Sequence, residues 1–156
     1  MTINQIVCCT DFSENAGAAF KMALEMAEKY RSSLTLLHVL PLPVNPMFME
    51  TEWMTPEIPM EAITLRVEQR MNEEYGSKIP SDINYRMVIR DGHVSSEILK
   101  YLEEHQVDIV VVGAYGLTGM ELVFFGSVAK RVAHKAPCSV LIARGERKKK
   151  QAEADG

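Results

Sequence analysis

The stretch VVVGAYGLTGMELVFFGSVAKRV, residues 110–132, decides how the rest of the chain is read. It opens on an apolar run of the kind that makes a buried strand, breaks into glycines, and closes on Gly126-Ser127 ahead of a helical pattern. Gly113, Gly116, Gly119 and Gly126 stand around this one connection, each costing backbone entropy relative to alanine. Two explanations are open. Either the connection turns tightly, or something approaches the backbone so closely that a side chain would obstruct it.

Outward from this stretch, short β-type runs alternate with longer helical stripes. Strands are expected at residues 3–9, 33–40, 83–89, 108–112 and 139–143. Helices are expected at 13–30, with Ser13 as N-cap, at 57–75, at 94–105 and at 127–135. The stripe of the second helix reads Met60, Ile63, Val67, Met71 and Tyr75. Strands alternating with helices in this way mean βαβ units and a parallel sheet covered on both faces. The nearly pure apolar fourth strand belongs in the middle, and so does the first. If those two are neighbours, the loops after them diverge to opposite faces. They then leave a crevice at the C-terminal edge of the sheet, where ligands bind in open α/β folds.

Composition narrows the class. A chain of 156 residues fits one domain able to bury roughly two thirds of its unfolded surface. The apolar fraction of 47% with charges of both signs is that of an ordinary globular protein, and the net charge of −4 argues against nucleic acid as a partner. No basic segment precedes an apolar core at the N-terminus, and no apolar stretch approaches the roughly 20 residues that span a bilayer. The expected location is the cytoplasm. Three cysteines are an odd count, and Cys8 and Cys9 face opposite ways in a strand, so a disulfide framework is not expected. No histidine or cysteine stands at ligand spacing to them, which favours small buried apolar residues over a redox or metal role.

Two segments break the rhythm. Residues 41–59 carry five prolines together with Met47, Phe48, Met49, Trp53 and Met54. A loop this long is read as an apolar cover for the sheet edge, or as a flap or subunit contact. The tail RGERKKKQAEADG is polar and mixed in charge, so residues 145–156 are expected to be disordered beyond a domain of residues 1–144.

At Gly126-Ser127 the first N–H groups of the following helix lack partners and the helix dipole is positive, which favours an anion. The alternative is a plain turn with Ser127 as N-cap. No Gly-x4-Gly-Lys-Ser/Thr occurs, and no Gly-x-Gly-x2-Gly follows any strand, so the two commonest phosphate-loop patterns are excluded.

What does occur is Gly113-x2-Gly116-x9-Gly126-Ser127 between a strand and a helix. With VCCTDFSENAGAAFKMAL, LTLLHVL and DGHVSSEILKYLEEHQVDIVVVGAYG around it, the chain resembles the ATP-binding branch of the universal stress proteins over roughly residues 3–143. The resemblance implies a single-domain Rossmann-like (adenine nucleotide alpha hydrolase-like) fold. Its five-stranded parallel sheet has the order 3-2-1-4-5, with helices on both faces. It further implies a site for ATP or AMP made by Cys9, Asp11, Val39, Val112, Gly113, Gly116, Gly126, Ser127 and Val128. Asp11 would sit beside the adenosine, Val39 would contact adenine through its backbone, and Gly126, Ser127 and Val128 would hold the phosphates. Cys9 stands where relatives often carry proline. Homodimerisation through the Ser139–Ala143 strand is implied as well.

Phosphoryl transfer needs cations on the oxygens, and the loop contains no lysine or arginine; Lys130 and Arg131 lie a turn into the helix. Asp11 could hold a Mg²⁺ bridging the phosphates, but one carboxylate is a modest site. Asp11 could equally be a turn residue bonding its own backbone. His38, His93, His105 and His134 lack a Ser, Cys or carboxylate partner in a recognisable arrangement and are read as structural or solvated. The expected function is a nucleotide-binding regulatory dimer acting on a protein partner in the stress response, with slow or negligible hydrolysis. A slow Mg-dependent ATPase or phosphotransferase, and an interaction module with a vestigial pocket, are the alternatives.

Deleting residues 48–54 tests the proline-rich loop. A flap or subunit contact predicts altered ligand affinity by calorimetry or an altered sedimentation coefficient, whereas unchanged values in both leave only the covering role.

Overall fold

A computed structural model describes residues 1–41, 58–115 and 126–146; Gly116, Gly119, most of the proline-rich loop and the tail from residue 147 lie outside them. Among the described residues five strands, β1 (Gln5–Thr10), β2 (Ser33–Pro41), β3 (Tyr85–Gly92), β4 (Ile109–Gly113) and β5 (Ser139–Ala143), alternate with four helices. These are α1 (Glu14–Tyr30), α2 (Met60–Glu74), α3 (Val94–Glu104) and α4 (Ser127–Lys135), with a 3₁₀ turn at Gly76–Lys78. All strand pairs are parallel, in the order β3-β2-β1-β4-β5. The expected order and the central pair β1 and β4 are both observed.

Side chains alternate across the sheet as the pleat requires. Ile6, Cys8, Leu34, Leu36, Ile109 and Val111 meet Ala19, Phe20, Ala23 and Ala27 of α1 together with Met71 and Tyr75. Val7, Cys9, Leu37, Val39, Val110 and Val112 meet Ile98, Tyr101 and Leu102 of α3 and Ala129 and Val132 of α4. Cys8 and Cys9 thus belong to opposite cores, and the helices cover both faces. Among the described residues no helix is long and apolar enough to cross a membrane.

Local chemistry sets the ends of the elements. Ser13 caps α1 by accepting from the Ala16 N–H at 3.1 Å, and Arg31 closes it in the left-handed region at φ 55°. The Asp108 carboxylate accepts from the Asn4 and Gln5 amides at 2.7 and 2.9 Å, which starts β1 at Gln5 rather than at residue 3. Ile83, expected inside β3, sits in a turn whose amide donates to the Pro80 carbonyl; β3 begins at Tyr85 and runs on to Gly92 at φ 137°.

The second helix departs most from expectation. It starts at Met60 with Pro59 at its N-cap, and Met60 is 46% exposed while Met71 and Tyr75 are buried. Only its C-terminal end seats on the sheet, so the apolar stripe is half used.

Gly113 is required by the packing of the fold. A Cβ there would lie 2.9 Å from the Asn15 carbonyl carbon and 3.0 Å from the Ala16 nitrogen, both backbone atoms of α1. Gly113→Ala is therefore expected to lower the urea unfolding free energy by roughly 1–3 kcal/mol with no ligand present. An unchanged midpoint would mean that α1 yields at this contact.

Candidate functional site

At the C-terminal edge of the sheet, the connection after β1 leaves toward α1 on one face. The chain after β4 leads to α4 on the other. Between them lies a cavity of about 210 Å³. Its floor is apolar: Cys9, Leu37, Val39 and Val112 from three adjacent strands, all on the α3/α4 face. Val94 and Ile98, one turn apart on α3, form a wall. Thr10, Asp11 and Ala16 close one side, and Gly113, Ala114 and Tyr115 with Gly126, Ser127, Val128 and Ala129 close the other.

Cys9, Asp11, Val39, Val112, Gly113, Gly126, Ser127 and Val128, anticipated from the sequence, thus line one cavity, although they span 120 positions (9 to 128) of the chain. Gly116 lies outside the described residues. Leu37, Thr10, Ala16, Val94, Ile98, Ala114, Tyr115 and Ala129 were not anticipated. Two signals could have found some of them: Leu37 shares a strand face with Val39, and Val94 and Ile98 share a helix face at the start of α3.

The loop Thr10-Asp11-Phe12-Ser13 is held at each residue. Asp11 Oδ1 accepts from the Ser13 amide at 3.0 Å, so the turn reading of Asp11 is correct while the residue also lines the cavity. Phe12 stands at φ 63°, an uncommon conformation for a bulky residue. Its ring lies 4.9 Å from His38 and 5.9 Å from Tyr75, with the Arg70 guanidinium 4.0 Å from the ring centre. The Thr10 carbonyl accepts from His38 Nδ1 at 2.7 Å, which places the proton on that nitrogen. Thr10 Oγ1 is buried with no hydrogen-bond partner among the described residues.

His38 is therefore a satisfied core histidine, as its sequence context implied. Burial lowers its pKa, against the raising effects of the Thr10 carbonyl and Asp11 and with a further lowering from Arg70. His93 bonds the Ser95 and Ser96 hydroxyls, and His105 donates to the Tyr101 carbonyl. Burial pushes the Cys9 thiol up to about 12, so it stays neutral and serves as apolar floor.

The entry to α4 corrects one alternative. Its N-cap is Gly126, with no side-chain cap bond, and Ser127 is already helical, so the Ser127 hydroxyl is not a cap. The Gly126 amide donates to the Ala114 carbonyl at 2.6 Å, and the Ala114 amide to the Ala143 carbonyl at 2.8 Å, stitching the two ends of the glycine-rich connection to β5. Gly126 has φ −65° and ψ 161°, a conformation any residue adopts. Its backbone geometry does not call for glycine.

A second cavity of about 310 Å³ lies at the opposite edge, between the start of β1 and the end of α3, with Arg86, His105 and Asp108 in its lining. Its volume is larger, but it sits at the strands' N-terminal ends, away from the switch point where the connections diverge.

The chain matches the model of the Universal stress protein family over residues 2–144. It is 30% identical to Universal stress protein MJ0531 of Methanocaldococcus jannaschii, with 92% of this chain and 84% of that one aligned. Protein MJ0577 of the same organism, 24% identical, superposes with a TM-score of 0.79 over 94% of this chain and 99% of its own. A universal stress protein of Archaeoglobus fulgidus solved in complex with dAMP (19% identical, TM-score 0.62, 90% and 97% covered) has the same fold. So has a universal stress protein solved in complex with cAMP, at 20% identity and a TM-score of 0.61 over 94% of this chain and 100% of its own.

The buried His38 makes stability depend on pH with a definite sign. Its unfolded pKa is about 6.5 and its folded value lower, so the unfolded chain binds the extra proton as pH falls. Stability is full above about pH 6.5 and is lost on acidification toward the folded value. As pH falls below about 6.5, the urea midpoint of the wild type should fall more steeply than that of His38→Gln. Parallel profiles would contradict the neutral buried state.

Proposed function

Because this chain belongs to the universal stress protein family, we propose that its cavity between β1 and β4 holds an adenine nucleotide, ATP or AMP, and that the bound state governs a regulatory surface. The observation that carries this reading is the convergence of the two described ends of the glycine-rich connection, the Asp11 loop and the β2 end on one cavity. The apolar floor of Cys9, Leu37, Val39 and Val112 suits a flat base, and Asp11 offers an acceptor for a ribose or base N–H or O–H. Gly126 and Ser127 at the start of the nine-residue α4 suit the phosphates, since the N–H groups from Ser127 onward have no partner within the helix and that end carries partial positive charge. A ligand approaching the backbone gives Gly126 a reason that its φ and ψ do not. At about 210 Å³ the cavity is below the roughly 300 Å³ usual for whole small-molecule sites, which fits base and sugar inside with phosphates at the mouth. Relatives solved with dAMP and with cAMP support the ligand class.

Binding without rapid turnover follows from the charge inventory. No lysine or arginine lines the cavity among the described residues, and Lys130 and Arg131 are exposed on α4. Inside the cavity, among the described residues, a phosphoryl group in flight would find no lysine or arginine to act as an arginine finger, whose absence is worth roughly a thousandfold or more in rate. Mg²⁺, if carried in by the nucleotide, would draw from this chain chiefly on Asp11, one of whose oxygens already accepts from Ser13. Among the described residues β5 is a sheet edge paired only to β4, and its half-buried Val140, Leu141 and Ile142 suit pairing with a second copy of the chain. A dimer in the cytoplasm, read by a protein partner, completes the reading.

Calorimetric titration with ATP and with AMP in the presence of Mg²⁺, followed by chromatography of the incubated sample, tests it. Micromolar binding, about −8 kcal/mol, with ATP recovered intact is expected. Accumulating ADP would shift the reading to a slow ATPase, and absence of any binding would overturn it. Gly126→Val should abolish binding while leaving the circular dichroism and urea midpoint in place, because its side chain meets the phosphates. Unchanged affinity in that variant would reject the placement of the phosphates at α4.

A further inference from the structure

A nucleotide brings several negative charges to a cavity whose described lining includes the carboxylate of Asp11 and no lysine or arginine. The dipole of α4 supplies only about half a positive charge. A full positive charge lies one residue past β5. Val140 and Ile142 pack with the α3/α4 core while Leu141 and Ala143 pack with the α1/α2 core. Alternation therefore carries Arg144 to the α3/α4 side, the side of the cavity. The Ala114 amide donates to the Ala143 carbonyl and its own carbonyl accepts from the Gly126 amide, so the residue before Arg144 and the start of α4 are both tied to Ala114. The Arg144 guanidinium stands 5.9 Å from the ring centre of Tyr115, itself a lining residue, within cation–π reach. The Gly145 amide donates to Asn15 Oδ1 at 2.7 Å and fixes the chain just beyond it.

We propose that Arg144, steadied by the face of Tyr115, is the specificity-determining residue that reads the phosphate tail at the cavity mouth. It rests on the nucleotide reading above and deepens it. A guanidinium stays charged at every physiological pH and offers a planar fork that matches two phosphate oxygens, which an ammonium does not. Adenosine, which has no phosphate, gains nothing from it. AMP, whose phosphate reaches the N-terminus of α4, gains little. ATP, whose β- and γ-phosphates extend past the mouth, gains most. Tyr115 acts through Arg144 as a positioning residue.

The test is a calorimetric series with adenosine, AMP and ATP on the full chain and on Arg144→Gln and Arg144→Lys, with a urea midpoint for each protein. Expected is a loss of roughly tenfold or more in ATP affinity for Arg144→Gln, the scale of a charge-assisted hydrogen bond. AMP should lose less than about threefold, adenosine should be unchanged, and Arg144→Lys should recover part of the ATP loss. Equal losses for all three ligands would show that Arg144 merely props the loop and would overturn the assignment. Undiminished ATP affinity in Arg144→Gln would overturn it too. If the unmutated chain binds none of the three ligands, the nucleotide reading itself falls and takes this one with it.

Discussion

Everything in this molecule depends on two buried parallel strands lying side by side. β1 and β4 pair through Ile6 with Ile109, Val7 with Val110 and Cys8 with Val111, and each is covered by helices on both faces. Because α1 follows β1 onto one face and α4 follows β4 onto the other, their connections separate at the C-terminal edge. A crevice is the geometric consequence. Neither strand could be moved to an edge, since a run such as Ile109–Gly113 buries apolar side chains on both sides.

The site is then shaped by short-range devices. Asp11 is aimed by its own turn, and that turn is held by an aromatic wedge. Phe12 accepts a backbone conformation costing of order 1–3 kcal/mol, and its ring packs against His38 and Tyr75 beneath Arg70. The Thr10 hydroxyl, buried without a partner among the described residues, adds a second local cost in the same loop. Such costs at Thr10 and Phe12, on either side of Asp11 beside a cavity, fit a loop selected for the position of its carboxylate rather than for stability. On the other wall, the bonds joining Ala114, Gly126 and Ala143 bring the start of α4 to the cavity mouth.

Much of this was legible in the residues. The alternation of apolar runs announced the parallel sheet. The spacing of Gly113, Gly116, Gly126 and Ser127 marked the connection, and every anticipated site residue that the structure describes lines one cavity. What stayed hidden depends on distant partners. Nothing local distinguishes Gly113, whose missing side chain makes room for the backbone of α1, from a glycine kept for a ligand. The stripe of α2 promised a face that is buried only at Met71 and Tyr75, because periodicity reports a possible contact and not how much of the helix reaches the sheet. Ser127 reads as a cap in sequence, yet the helix starts one residue earlier. Phe12 and Arg144 carried no signal, since one matters through its backbone angle and the other through the strand register that sets it near Tyr115.

Amide hydrogen exchange with and without saturating ATP tests the central claim most directly, because it asks where the ligand sits and not only whether it binds. The account predicts slowed exchange at residues 11–13, 39–40, 113–115 and 126–128, with no change around Asp108 and Arg86 at the opposite edge. Slowing confined to that opposite edge, or spread evenly over the sheet, would contradict it.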